Sequence, residues 1–169
     1  MALREIVLVP EPVLRRKANK VTTFDKSFQQ LVDDMIETMR AAPGVGLAAP
    51  QVGISQRLLV MEFGDEEDEE APKKLFVFVN PEIVKSSEEK VTGVEACLSV
   101  PGMAGEVERH QTLVVKGLNR FGKPVKHKLE GWTARIFQHE NDHLDGVLFT
   151  DRAIKVWQPS EEEIENIHD

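Results

Sequence analysis

Residues 133–146, which read TARIFQHENDHLDG, carry the pattern that decides the fold. The apolar side chains of this stretch, with Gly146 placed as at a helix C-terminus, predict a helix over Thr133–Leu144. His139 and His143 are four residues apart, so a helix places both rings on one face, about 40° apart in projection. Two imidazoles in that arrangement can bind one divalent ion; the alternative is two surface histidines four apart by coincidence.

Glu140, next to the first histidine, indicates a hydrolytic use for such an ion. Its carboxylate would point beside the metal, where a general base for an activated water belongs. The residues alone leave the third ligand open. A zinc endopeptidase with this motif recruits a downstream Glu or His, for which Glu161–Glu165 and His168 are the candidates. Cys97, far upstream, is the better candidate, although a lone cysteine is by default a small buried apolar residue.

A helix and a series of strands precede this motif. Asp25 is a suitable N-cap, and apolar residues recur at helical period from Phe28 to Met39, before Pro43 and Gly44 stop the helix. Strands are predicted at Arg57–Phe63, Leu75–Val79, Ile83–Lys85, Val91–Val94, Leu113–Lys116 and Pro124–Leu129, with a hairpin turn at Asn119–Lys123. Because βαβ alternation is missing, we predict an α+β fold of mainly antiparallel sheets around a central metal-binding helix, with an N-terminal helix packed alongside.

Residues 44–53, GVGLAAPQVG, are small and irregular in pattern. They mimic a dinucleotide-binding fingerprint, but that fingerprint must follow a strand and open a helix. Here the stretch follows a helix, and Pro50 prevents another from forming. We therefore predict a tight loop whose backbone is left accessible.

Length and charge restrict the classes of function. The 169 residues suit one domain, 1–169, and no apolar run of about 18 residues indicates a membrane span. The net charge of −8 comes from an acidic loop at 65–70 and an acidic tail at 160–169, outside which 18 acidic residues face 21 basic ones. The chain therefore lacks the basic field that direct binding of nucleic acid needs. One cysteine excludes an internal disulfide, which favours a reducing, cytoplasmic location.

Three ordered stretches resemble one known family, the peptide deformylases. They are Gly44–Gln51 (GVGLAAPQ), Glu95–Ser99 (EACLS) and Gln138–Gly146 (QHENDHLDG). Weaker agreement extends from Pro12 to Arg152, so the resemblance covers about nine-tenths of the chain. The departure is Ala96, where the family usually has Gly; if that position needs a positive φ, alanine costs on the order of 1 kcal/mol there.

The resemblance implies a catalytic site and a reaction. Cys97, His139 and His143 would bind one divalent metal, Fe(II) in many members of the family, with Zn, Ni or Co able to replace it. Glu140 would act as the general base, while Gln51 and the backbone N–H of Leu98 would stabilise the oxyanion. The reaction is removal of the N-formyl group from the initiator methionine of nascent polypeptides, with release of formate. The partners implied are N-formylmethionyl peptides, with possible proximity to the ribosome; the oligomeric state stays open.

The resemblance also implies where the substrate would bind and which residues would surround the metal. An extended peptide would pair with backbone groups around Val45 and Gly46, and Val45, Trp132 and Ile136 would form the methionine pocket, unless they simply pack in the core. Glu95 would fix the tautomer of a ligand imidazole, and Arg109 would pair with Glu95 unless it is a solvated surface arginine. A binding module that has lost catalysis is a further alternative, to which only Ala96 points.

Overall fold

The structure is a computed structural model that describes residues 2–64, 72–160 and 162–163. Within these residues the chain forms three α-helices, two 3-10 helices (Pro12–Arg15 and Ala49–Val52) and eight strands. The α-helices are α1 (Lys26–Ala41), α2 (Gly131–Leu144) and α3 (Phe149–Arg152). The strands are β1 (Gly46–Ala48), β2 (Leu58–Phe63), β3 (Lys74–Ser86), β4 (Lys90–Cys97), β5 (Val100–His110), β6 (Thr112–Leu118), β7 (Pro124–Glu130) and β8 (Lys155–Trp157). The predicted acidic loop at 65–70 lies outside the described residues, as does most of the tail.

The strands form two antiparallel sheets. The larger has the order β1-β2-β3-β6-β7 and the smaller the order β4-β5-β8. Helix α2 packs on the larger sheet and also contacts β5 of the smaller one, so it lies between them. The predicted α+β class and the central position of the His-Glu-x-x-His helix are confirmed.

The larger sheet separates the two long helices. Side chains of β2 alternate: Leu59 and Met61 join the core around α2, whereas Leu58 and Val60 join the core around α1. The N-terminal helix therefore packs on the opposite face of this sheet from the metal-binding helix. Asp25 is confirmed as its N-cap, with the carboxylate accepting the Phe28 N–H at 2.9 Å.

Outside residues 44–53 the strands differ from the prediction in three places. The predicted strands Leu75–Val79 and Ile83–Lys85 form one long strand, β3, with an irregularity at Asn80–Pro81, where the register shifts between Val79 and Glu82. Asn80 takes a positive φ of 50°, and its side-chain amide bonds both the N–H and the carbonyl of Val21 at 2.9 Å. β5 and β8 were missed, since β5 contains Pro101, Gly102 and Gly105, which resemble turn formers in sequence.

The stretch 44–53 is also more regular than predicted. Gly46–Ala48 forms the edge strand β1, and Ala49–Val52 forms a 3-10 helix that ends at Gly53, with φ of 82°. The prediction of an irregular loop was therefore wrong; residues 46–52 are buried, whereas Gly44 and Val45 are half-buried and Gly53 is exposed. None of the described helices is long and apolar enough to cross a membrane.

Candidate metal centre

Three side chains from two elements meet in the interior. Cys97 ends β4, and His139 and His143 lie one turn apart on α2. Their donor atoms all lie within 4.8 Å of one another, and Cys97 Sγ is 3.3 Å from His143 Nε2. All three residues are buried. This is the one such metal-binding group found among the described residues.

Local structure explains why these donors converge. β4 and β5 are joined at Cys97–Val100 by a two-residue turn, Leu98–Ser99, which holds the thiol where the smaller sheet meets α2. On α2 the four-residue spacing stacks the two imidazoles at the same face, with ring centroids 5.2 Å apart. The alternative of two surface histidines is therefore wrong.

Glu95 orients one of these imidazoles. Its Oε1 lies 2.9 Å from His139 Nδ1, so His139 donates from Nδ1, which leaves Nε2 as the ring nitrogen that can bind an ion. Arg109 donates two hydrogen bonds to Glu95, at 2.9 and 2.8 Å, and Arg135 donates a third at 2.6 Å. Burial raises the pKa of Glu95, but the hydrogen bonds from Arg109 and His139 outweigh burial and hold that pKa well below its usual range.

The environment suits a cation at the centre. Burial lowers the pKa of His139, but hydrogen bonds to Cys97 and Glu95 outweigh burial and raise it well above the usual value. Burial, with repulsion from His139 and Arg109, lowers the pKa of His143. Two adjacent imidazoles thus cannot both carry a proton, whereas one divalent ion can use both neutral rings and the thiolate. A sulfur and two nitrogens fit Zn, Fe, Ni or Co better than Mg or Ca.

Glu140 lies against the edge strand β1. Its side chain is 2% exposed, and a Cβ built on Gly46 would lie 2.6 Å from Glu140 Oε2. Glycine at this position therefore makes room for the carboxylate. On the same side, Gln51 Nε2 lies 3.5 Å from Cys97 Sγ and 3.2 Å from Ser99 Oγ.

Gln51 and Leu98 flank the thiol. The side-chain oxygen of Gln51 accepts the Ala48 N–H at 2.9 Å, which turns its amide nitrogen toward Cys97. Leu98, half-buried, follows Cys97 directly in the two-residue turn. Ala96 does not need a left-handed conformation, because Asn80 is the only described non-glycine residue with positive φ. The strain considered for Ala96 is absent.

The three residues assigned to the methionine pocket divide into two groups. Ile136 is buried in the core around α2, and Val45 packs against that core. Trp132 lies instead against Arg135, whose guanidinium is 5.3 Å from the indole ring. Both line a cavity of about 240 Å³, shared with Gly93.

Sequence reasoning missed Arg135 as a member of this site. It precedes His139 by one helical turn and is 5% exposed. Its guanidinium also donates to the carbonyls of Val107 and Val91, which ties α2 to both β5 and β4. The i, i+4 spacing from His139 was the available signal, since both side chains must share one face of the helix.

Comparison with known proteins gives one family. The family model for polypeptide deformylase matches residues 3–158. The peptide deformylase of Symbiobacterium thermophilum is 51% identical over 162 residues, which cover 96% of this chain and 72% of that protein. Peptide deformylase 1 of Bacillus subtilis is 45% identical, covering 95% and 96% of the two chains.

Solved structures agree with this match. The crystal structure of the Thermotoga maritima peptide deformylase is 43% identical with a TM-score of 0.84, covering 92% of this chain and all of that one. The class I type b peptide deformylase of Acinetobacter baumannii with Met-Ala-Ser bound is 39% identical with a TM-score of 0.83, covering 89% and 98%. The chain therefore belongs to the polypeptide deformylase family.

Proposed function

We propose that this chain hydrolyses the formyl amide of N-formylmethionyl peptides, releasing formate and a free N-terminal methionine. The observation that carries the proposal is the cluster of Cys97, His139 and His143 donors within 4.8 Å, with the carboxylate of Glu140 on the same helix. Membership of the deformylase family supports the same reaction.

The ion we propose for this cluster is Fe(II), one per chain, with Zn, Ni or Co as substitutes. When bound by Cys97, His139 and His143, such an ion supplies Lewis acidity, which activates water near neutral pH and polarises a carbonyl. Donor chemistry alone does not choose among these metals, so the choice of iron rests on the family resemblance.

The remaining steps belong to the chain's own side chains. Glu140 accepts a proton from the attacking water and then delivers it to the leaving amine nitrogen. The side-chain amide of Gln51 and the backbone N–H of Leu98 donate hydrogen bonds to the oxygen that becomes negative during attack. Each donor of this kind typically contributes about 2.7–4 kcal/mol to transition-state stabilisation. Glu95 and Arg109 hold the His139 ring while this occurs.

The substrate binds as an added strand in this proposal. In the proposal, backbone groups around Val45 and Gly46 pair with an extended peptide. It is supported by the position of β1 at the edge of the larger sheet, where β2 is its one partner among the described strands. Pairing through the backbone is independent of sequence, which suits an enzyme that acts on many nascent chains. Val45 and Ile136, which share the core around α2, would contact the methionine side chain, whereas Trp132 lines the cavity beside Arg135. The tripeptide bound by the Acinetobacter baumannii enzyme, Met-Ala-Ser, begins with methionine, as the proposed product does.

Two other functions are less well supported. A zinc endopeptidase would take its third ligand from the tail, whereas Cys97 already lies with the histidines. Cys97→Ser should abolish or change metal binding in a deformylase and leave it intact in such an endopeptidase. A non-catalytic binding module has no use for a buried base, yet Glu140 and Gln51 are both retained beside the metal donors.

The decisive experiment measures formate released from formyl-Met-Ala-Ser together with metal content. Glu140→Ala is expected to retain its metal and to lose turnover by orders of magnitude, because the general base is removed. Glu130→Ala is the matched control, since that exposed residue at the start of α2 makes no capping hydrogen bond. Normal turnover by Glu140→Ala would remove Glu140 from the mechanism.

We also propose that the protein works in the cytoplasm, close to ribosomes, where formylated nascent chains emerge. The lone, buried Cys97 supports a reducing compartment. Cell fractionation, followed by co-sedimentation with translating ribosomes, tests both parts. Recovery outside the cytoplasm would contradict the first, and absence from ribosome pellets the second.

A further inference from the structure

The short helix α3 contacts the metal centre without supplying a ligand to it. The ring of Phe149 stacks on the imidazole of His139, with centroids 5.9 Å apart and planes inclined by 21°. Phe149 is 2% exposed and packs in the same small core as Cys97 and Val107. One aromatic face thus lies against the ligand ring.

The position of Phe149 is itself fixed. A Cβ built on Gly105 of β5 would lie 2.9 Å from Phe149 Cε2 and 3.1 Å from Ala153 Cβ. The smaller sheet therefore has a glycine where the ring sits, and the ring fills that space. The start of α3 is held by Asp151, whose carboxylate accepts the Leu148 N–H at 2.9 Å.

Helix α3 is also connected to His139 through a series of alternating charges. We call this series the ion chain; its members are Arg152, Asp142, Arg109 and Glu95. Arg152 donates to Asp142 with two nitrogens, at 2.6 and 3.1 Å. Asp142 also accepts from Arg109 at 2.7 Å, and Arg109 holds Glu95, which bonds His139 Nδ1. The chain runs from a half-exposed arginine to the metal ligand, and each carboxylate in it lies between cationic groups.

We propose that α3 positions His139. Phe149 fixes the tilt of the imidazole, and Arg152 stabilises the ion chain that bonds to Nδ1 of His139. The torsion that rotates a histidine ring has broad minima, so a hydrogen bond at one nitrogen does not fix the ring plane. A stacked neighbour fixes that plane and keeps Nε2 aimed at the other two donors. Neither Phe149 nor Arg152 belongs to the group of three metal donors. The inference rests on the metal centre of the proposed function.

The test compares Phe149→Leu with Phe78→Leu. Phe78 is equally buried, at 1% exposed, and stacks on Phe76 in the core on the other side of α2. Each variant is loaded with Co(II), and both the visible absorption spectrum and the rate of metal transfer to a chelator are measured. We expect Phe149→Leu to alter the spectrum and to release metal about tenfold faster, while Phe78→Leu changes neither. Equal effects in the two variants would mean that Phe149 acts only by filling the core, and would overturn the proposal.

A second pair keeps the proposal testable if Phe149→Leu does not fold. Arg152→Met is compared with Arg40→Met, since both arginines are half-exposed and each donates with two nitrogens to one carboxylate, that of Glu62 in the case of Arg40. We expect faster metal release and a lower kcat, with KM unchanged, in Arg152→Met only. No difference between these two variants would overturn the role of the ion chain. A wild-type protein that binds no metal would refute the proposed function instead, and this outcome is visible before any variant is made.

Discussion

Replacing Gly46 with alanine tests the position of the general base with a single methyl group. The Cβ would lie 2.6 Å from Glu140 Oε2, 2.8 Å from its Cγ and 3.0 Å from its Cδ. Gly46 lies in the regular strand β1 and does not have a positive φ, so alanine adds no backbone strain. The substitution therefore acts by pushing the carboxylate aside.

The displacement of the Glu140 carboxylate follows from these distances. Ordinary contact begins at about 3.4 Å, so the carboxylate must retreat by about 0.8 Å. A misplacement near 1 Å costs on the order of 10²-fold in rate, or about 2.7 kcal/mol of transition-state stabilisation. We expect Gly46→Ala to lose about that factor in kcat, measured by formate release, with metal content unchanged because Glu140 is not a ligand.

Two further variants separate this effect from others. Gly102→Ala introduces strain at a φ of 76° where nothing lies within 4 Å of the added carbon. It should cost about 1–2 kcal/mol of stability and leave kcat intact. Glu140→Asp shortens the acid, so adding Gly46→Ala to it should cause little further loss. A Gly46→Ala enzyme with normal kcat, or one in which KM rises and kcat does not change, would refute the placement of Glu140 as a base against β1.

The other predictions concern the oxyanion, the helix cap, the metal and pH. Gln51→Leu should lower kcat by about 10²–10³-fold without loss of metal, measured by formate release, and a smaller loss would make Gln51 a structural amide. Asp25→Ala should cost about 1 kcal/mol, seen as a lower Tm by a few degrees, at unchanged kcat. Peroxide should inactivate the Fe(II) form more than the Ni(II) form, through metal loss or Cys97 oxidation, and equal sensitivity of the two forms would contradict this. The folded-state pKa of Glu95 is held low, so ionised Glu95 stabilises the folded state fully at pH values above its unfolded pKa of about 4.3. This stabilisation is lost as the pH falls from about 4.3 toward the folded-state pKa. The difference in urea stability between metal-free wild type and Glu95→Gln should therefore shrink from about pH 6 to about pH 3; a constant difference would refute the assignment.

Local sequence patterns were sufficient to predict several parts of the fold. The apolar stripe from Phe28 to Met39 predicted α1, and the cap at Asp25 was readable because capping depends on neighbours a few residues away. The strands at the hairpin β6–β7 were readable for the same reason. β5 was not, since its Pro and Gly residues resemble turn formers and only pairing with β4 and β8 makes them a strand.

The sequence by itself determined the relative positions of two metal donors and the proposed base, because helical spacing places His139, Glu140 and His143 relative to one another without reference to the rest of the chain. Only the tertiary structure decided that Cys97, 46 residues before His143, lies 3.3 Å from it. The same holds for Arg135, Phe149 and the ion chain from Arg152, whose contacts join α2 and α3 to the smaller sheet. Separations of that length are closed by the packing of sheets on α2, and packing depends on all the side chains at once rather than on any local pattern.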